Sequence, residues 1–232
     1  MNRIIYLPVL NFFFIFCLNT SISAQMQAIA GYNHSKADAK VLNDIIEKYN
    51  MKHPELSQPM SSLNRMNGMM LGLRYPFPYF CVEFDWLYQT SRLKDRIINA
   101  DRTTYQNIIY FRNQSFSLSG ELYYKWIGMG ASIDVSQTLL RKERSSDTAK
   151  ETLINSNNLT NNVHISFELP INDVLSIRIR PYIQLPTRKP VNFAPVEAKF
   201  NPDVIIVDKT VYNQRITYYG ISIAFVNGNQ RN

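Results

Sequence analysis

The residues best placed to do chemistry together are His164, Ser166 and Glu168, in the run HISFE. A strand sends alternate side chains to opposite faces, so all three share one side. A serine activated by a histidine, itself oriented by a carboxylate, is a recurrent nucleophilic arrangement. The spacing argues against that use. Same-face neighbours on one strand lie about 7 Å apart, beyond hydrogen-bond reach. The expected role is a hydrogen-bond network. Glu83 and Asp85 form a second same-face pair, and an ion network is expected there rather than general acid–base catalysis. His34 and His53 have no Cys or His partner at metal-ligand spacing. No glycine-rich phosphate loop, Cys-x-x-Cys pair, nucleotide motif or Ca²⁺ loop occurs. Neither a metal nor a cofactor is expected.

Strands must position these side chains. In YFCVEFDWLYQ, residues 79–89, Phe80, Val82, Phe84, Trp86 and Tyr88 take one face. Tyr79, Cys81, Glu83, Asp85, Leu87 and Gln89 take the other. The same period of two recurs over 69–75, 115–126, 128–139, 162–169, 174–185 and 216–225, and more weakly over 27–33. A helix is expected over 36–50, capped by Ser35, with Val41, Leu42, Ile45, Ile46 and Tyr49 on its apolar side. Long loops are expected over 90–107, over the charged and Asn-rich stretch 140–161, and over the Pro-rich stretch after 185. Val204 to Val207 could extend a strand within that last loop.

The chain has 232 residues, enough for one sizeable domain. Its 14 Tyr and 13 Phe favour strands. The formal charge of +7 is spread out, with no block of five basic residues, so nucleic acid is not the expected partner. A basic loop surface facing anionic lipid headgroups accounts for the charge. Residues 1–24 read as a signal peptide. Arg3 is the positive start, Val9 to Leu18 the apolar run, and Ser21 to Ala24 the small residues before cleavage. That leaves 25–232 as the folded part, with Cys81 as its one cysteine and no internal disulfide.

Short connections near 76–78, 127 and 170–173 alternate with long ones, the rhythm of an outer-membrane barrel. The expected fold is all-β: an antiparallel up-and-down transmembrane β-barrel of eight strands with one short helix near its N-terminus. The rival is a secreted sandwich whose polar face meets water. In the barrel, Arg74, Glu83, Asp85, Glu121, Lys125, Asp134, His164, Glu168, Arg178 and Arg180 line the lumen and must pair, because an isolated buried ion is costly. Tyr75, Trp86, Tyr88, Tyr124, Trp126 and Tyr219 are the expected interface aromatics.

The small residues closing at Ala24-Gln25, the Gly31-Tyr32-Asn33 run, the helix LNDIIEKYN and the period-two remainder resemble the small outer-membrane β-barrel proteins of Gram-negative bacteria. The closing YYGISIAF, with Tyr219, Ile221, Ile223 and Phe225, resembles the C-terminal strand read by the barrel-assembly machinery, although residues continue past Phe225. The resemblance implies outer-membrane location, with lipid and lipopolysaccharide as surroundings. It also implies a non-enzymatic barrel that displays loops for binding or envelope integrity. Two other roles stay open: a narrow porin-like channel for small or hydrophobic solutes, and a lipid-modifying enzyme. The His-x-Ser pattern resembles that of outer-membrane lipid A deacylases, but that family takes its acid from elsewhere in the fold and addresses lipid, whereas these three residues are expected to face the lumen. No residue pattern names an external ligand.

Overall fold

The computed structural model describes residues 26–98, 103–144, 150–187 and 189–227. The expected signal peptide and its cleavage site lie outside the described residues. Eight antiparallel strands close into one barrel, each paired with its neighbours in sequence. They are β1 (Gln27–Asp38), β2 (Met66–Pro76), β3 (Phe80–Lys94), β4 (Asn107–Tyr124), β5 (Ile127–Arg144), β6 (Glu151–Pro170), β7 (Leu175–Pro186) and β8 (Thr217–Asn227). Pairing of β1 with β8, from Ile29 opposite Val226 to Asp38 opposite Thr217, closes the sheet and removes its edges.

One end of the barrel carries only tight connections. β4 and β5 meet at Lys125 and Trp126, with Tyr124 opposite Ile127. Lys125 takes a positive φ of 54°, the left-handed backbone that a two-residue hairpin demands. The other end carries everything long, including helix α1 (Lys40–Lys52) and helix α2 (Ala194–Phe200).

The outward face is apolar over one band. On β4 it runs Tyr124, Leu122, Gly120, Leu118 and Phe116, then turns polar at Gln114 and Arg112. On β5 it runs Ile127, Met129, Ala131, Ile133 and Val135, then turns polar at Gln137. Ten residues of strand at a tilt of about 45° rise roughly 23 Å, close to the apolar height of an outer-membrane barrel. Ile133 and Leu118 are each 61% exposed and Phe84 is 52% exposed. A band of that extent facing water would be an aggregation surface; facing acyl chains it is solvated. No helix among the described residues is long and apolar enough to cross a membrane, which says nothing of a closed barrel, whose strands can do so.

The strands outrun the period-two reading. Residues 90–94 belong to β3, 140–144 to β5 and 151–161 to β6, so much of two expected loops is sheet. Backbone pairing continues above the apolar band, where the outward residues become polar and the alternation that marks a strand is lost. Helix α1 starts at Lys40 rather than 36, because Lys36 and Ala37 still pair with Tyr219 and Tyr218. Ser35 is consequently no cap: it is a buried lumen residue accepting a hydrogen bond from Gln89 at 2.7 Å. Tyr79 lies on no inner face either; it is a turn residue, 72% exposed. Val204 to Val207 form no strand. The largest unforeseen element in that region is α2, started by Pro195 in its first turn.

Position along the outer face should set the cost of a charge. Ile133→Arg is expected to lower stability by about 2–4 kcal/mol and Gln137→Arg by about 0–1 kcal/mol. Urea unfolding of the protein in lipid vesicles measures both; two equally small effects would mean that the apolar band of the barrel does not lie in lipid.

Candidate functional site

Inward-facing positions of β2 to β7 build the ionic part of the lumen. Arg74 Nη1 lies 2.6 Å from Glu168, and Arg74 Nε lies 3.3 Å from Glu83. Arg178 bridges Glu83 and Glu121. Arg180 joins Glu83 and reaches Asp85 at 3.0 Å. All seven side chains are buried. Glu83 thus accepts from Arg178 and Arg180 and pairs electrostatically with Arg74, and every ion touches an opposite charge contributed by another strand. A single pair would not repay the desolvation of its ions; a shared network with planar arginine donors comes closer.

His164, Ser166 and Glu168 point inward together but do not pair with one another in the described contacts. Glu121, across the sheet on β4, takes both upper members. Ser166 Oγ donates to its Oε1 at 2.8 Å, and His164 Nε2 lies 3.3 Å from its Oε2. Glu168 belongs to Arg74. The serine proton is therefore directed at a carboxylate rather than at the imidazole. The space for this cluster comes from Gly128 and Gly130 on β5. A Cβ at Gly130 would stand 2.5 Å from His164 Nε2 and 2.7 Å from the Gly120 carbonyl, too close for any other residue.

Further outward, Asp134 accepts from Ser132 at 2.6 Å and from Gln184 at 2.9 Å. Above that, Gln89 donates to Asn33 and Ser35, and the Tyr182 hydroxyl donates to Asn33 at 2.9 Å. One wall is apolar: Ile29, Met70, Leu87, Ala224 and Val226 cluster inside the barrel. At the inner end the Tyr123 hydroxyl donates to the Phe77 carbonyl, with the Arg74 guanidinium 5.5 Å from its ring. Lys125 is not among these residues. It is exposed in the β4–β5 turn, its Nζ 5.5 Å from the Tyr124 ring, because the strand ends one residue earlier.

At the outer end the interior changes character. Leu93 of β3, Ile109 and Phe111 of β4, Leu140 of β5 and Ile154 of β6 point inward and are buried. They meet Leu42, Ile45, Ile46 and Tyr49 of α1 and Val196 and Phe200 of α2 in one apolar core. Polar contacts pin the cap. The Tyr49 hydroxyl donates to Asp95 at 2.8 Å, and Asn107 donates to the same carboxylate at 2.9 Å. Burial, reinforced by Asp95, raises the pKa of that hydroxyl, so it keeps its proton and stays a donor. Phe200 meets Tyr49 edge-on at 5.2 Å. Of the strand residues in this core, Leu93, Leu140 and Ile154 fall in stretches expected to be loops; their signal is an apolar residue at alternate positions in polar surroundings.

Of the aromatics, Tyr75, Tyr124 and Trp126 lie outward at the tight-turn end, and Tyr219 lies outward near the cap, opposite Lys36. Trp86 sits mid-strand on β3, its ring 5.9 Å from that of Tyr88. Ile221, Ile223 and Phe225 follow Tyr219 on the outward face of β8. Among the described residues no group of three or more His, Cys, Asp or Glu is arranged to hold a metal ion.

No family model and no curated protein matches this chain. Solved structures do. Ail, the attachment invasion locus protein of Yersinia pestis, solved in complex with the heparin analogue sucrose octasulfate, aligns at 9% identity with a TM-score of 0.50, covering 88% of this chain and 97% of that one. The chain has the fold of a small outer-membrane β-barrel. Neisserial surface protein A aligns at 10% identity with a TM-score of 0.43, covering 88% and 97%. The outer membrane protease OmpT of Escherichia coli aligns at 10% identity with a TM-score of 0.37, covering 88% and 96%. Such identities speak for the fold alone and leave the chemistry to the site.

Removing one partner should expose the network's dependence on pairing. Arg178→Met takes one buried cation from both Glu83 and Glu121 and is expected to cost about 3–5 kcal/mol. Adding Glu121→Gln should return part of that loss, so the double variant falls short of the sum of the two singles; urea midpoints for the four proteins measure it.

Proposed function

We propose that the protein is a non-enzymatic outer-membrane barrel with a filled, non-conducting lumen, which holds its α1–α2 cap and outer loops at the cell surface for binding or for envelope integrity. The observation that carries this is the succession of fillings along the axis. Paired ions occupy the lumen within the apolar band, a neutral amide and hydroxyl layer lies above them, and an apolar core under α1 seals the outer end. An eight-stranded barrel is just wide enough to be filled by its own side chains. In this reading lipid and lipopolysaccharide surround the apolar band, the leader over 1–24 directs export, and the outward Tyr219, Ile221, Ile223 and Phe225 of β8 present the strand to the barrel-assembly machinery. Tyr124, Trp126 and Tyr75 anchor the inner rim and Tyr219 the outer one.

Conductance tests it. The purified protein in planar bilayers is expected to give no sustained current steps; stable open channels in the wild type would replace this reading with the transport one. His164→Ala and Ser166→Ala are expected to leave lipid A profiles of the host unchanged; an altered profile would establish the enzyme.

The cap gives a separate readout. Ile45→Asp with Ile46→Asp places two carboxylates in the apolar core under α1. The expected outcome is protease cleavage within 40–65 while the barrel keeps its heat-modifiable migration on gels. Unchanged resistance to protease would mean that α1 is not held by this core.

A further inference from the structure

The outward face of β3, β4 and β5 carries a cluster that neither the lumen nor the cap uses. The register sets Arg92 opposite Tyr110, and Tyr110 opposite Arg141, so the three stand in one row across adjacent strands. Arg112 is on the same face of β4, two residues nearer the apolar band. Lys150 joins them from beyond β5: its Nζ lies 4.2 Å from the Tyr110 ring centroid, and the Arg92 guanidinium lies 5.1 Å from the same centroid. Among the described contacts the one acid is Glu143, 3.2 Å from Lys150. Four cations gathered around one tyrosine and one carboxylate are short of negative charge.

Two further observations point to a ligand. The Nε atoms of Arg112 and Arg141 are buried yet have no hydrogen-bond partner. Among the described residues Arg112 has one long hydrogen bond, Nη2 to Gln137 at 3.3 Å. The row also has a defined height. The continuous apolar band ends on β4 at Phe116 and on β5 at Val135; Arg112 follows Gln114 on β4, and Arg141 follows Gln137 and Leu139 on β5. That is the level at which headgroups begin on the side bearing the cap.

We propose that Arg92, Arg112, Arg141 and Lys150 form a binding site for the phosphate group of a glycolipid in the outer leaflet. The inference rests on the reading that the apolar band lies in the outer membrane with the cap outward. Guanidinium forks match phosphate oxygens in pairs. The lipid source follows from placement: a phosphate seated here has its acyl chains alongside Phe116, Val135 and Trp86, where a free anion would have nothing to occupy that wall.

The test uses the purified full chain in detergent, titrated with bisphosphorylated lipid A, with its dephosphorylated form and with inorganic phosphate. Native mass spectrometry reads the bound lipid. Heat-modifiable migration, read for every protein, reports the barrel. Changing Arg92, Arg112 and Arg141 together to Gln is expected to weaken binding of the phosphorylated lipid about tenfold or more. Changing Lys36, Lys189 and Lys209 to Gln, an equal loss of charge elsewhere, is expected to leave it unchanged. The dephosphorylated lipid should bind both sets equally weakly, and inorganic phosphate at the lipid's concentration should not compete. Equal losses in the two sets overturn the site in favour of diffuse charge. Competition by phosphate alone overturns the lipid assignment. Should the triple variant not fold, Arg92→Gln and Lys150→Gln, both at exposed side chains, carry the test, and unchanged binding in both overturns the proposal. A wild type without heat-modifiable migration removes the membrane reading itself, whereas a folded wild type that ignores the phosphate removes only the site.

Discussion

An ionised side chain inside a cylinder clad in hydrocarbon has only its neighbours for solvent. This constraint governs the wall of the barrel. Three guanidiniums and four carboxylates are held within one network, and Glu83 is shared by all the arginines. Its members come from β2, β3, β4, β6 and β7, so the network depends on these strands keeping their register. A slip of one residue anywhere would turn a charge toward lipid and an isoleucine inward. The pairing requirement thus converts a modest local preference into a unique register.

The polarity of the interior then reverses along the axis. Within the apolar band the outer face is greasy and the inner face ionic. Above it the outer face carries Arg92, Arg112 and Arg141, and the inner face carries Leu93, Phe111 and Leu140. The strands keep the same pleat throughout; only the solvent outside has changed. In the lower part the protein needs its polar groups away from lipid. In the upper part it needs its apolar groups away from water, and α1 with α2 completes the small core that the barrel mouth begins. The molecule is in effect a membrane barrel continued into a water-soluble one, and the two packings meet at the layer of Asn33, Gln89 and Tyr182.

The sequence is readable where one contrast dominates. The run from Phe80 to Tyr88 against Cys81, Glu83 and Asp85 gives strand, face and lumen assignment at once, and the alternation of short and long connections gives the strand count. The apolar side of α1, Leu42, Ile45, Ile46 and Tyr49, is equally plain. Legibility fails at 140–161, where Asn155 and Asn157 face outward above the apolar band. A strand with polar groups on its water side and a few apolar ones inside reads locally as a loop. The partnership of Glu121 with His164 and Ser166 was also out of reach, because it depends on which residues face each other across sheets and on the room left by Gly128 and Gly130. Lys125 shows the reverse error: alternation carried one residue too far places a turn residue in the lumen.

The seam between β1 and β8 has a property the other seams lack. Its inward residues run Ile29, Gly31, Asn33, Ser35 and Ala37 on one side and Tyr218, Gly220, Ser222, Ala224 and Val226 on the other, with no Asp, Glu, Lys, Arg or His among them. The first and last strands therefore pair along a line of neutral side chains, and the ion pairs, which cross the lumen from β7 to β3 and β4 and from β2 to β6, are supplied by the strands between them.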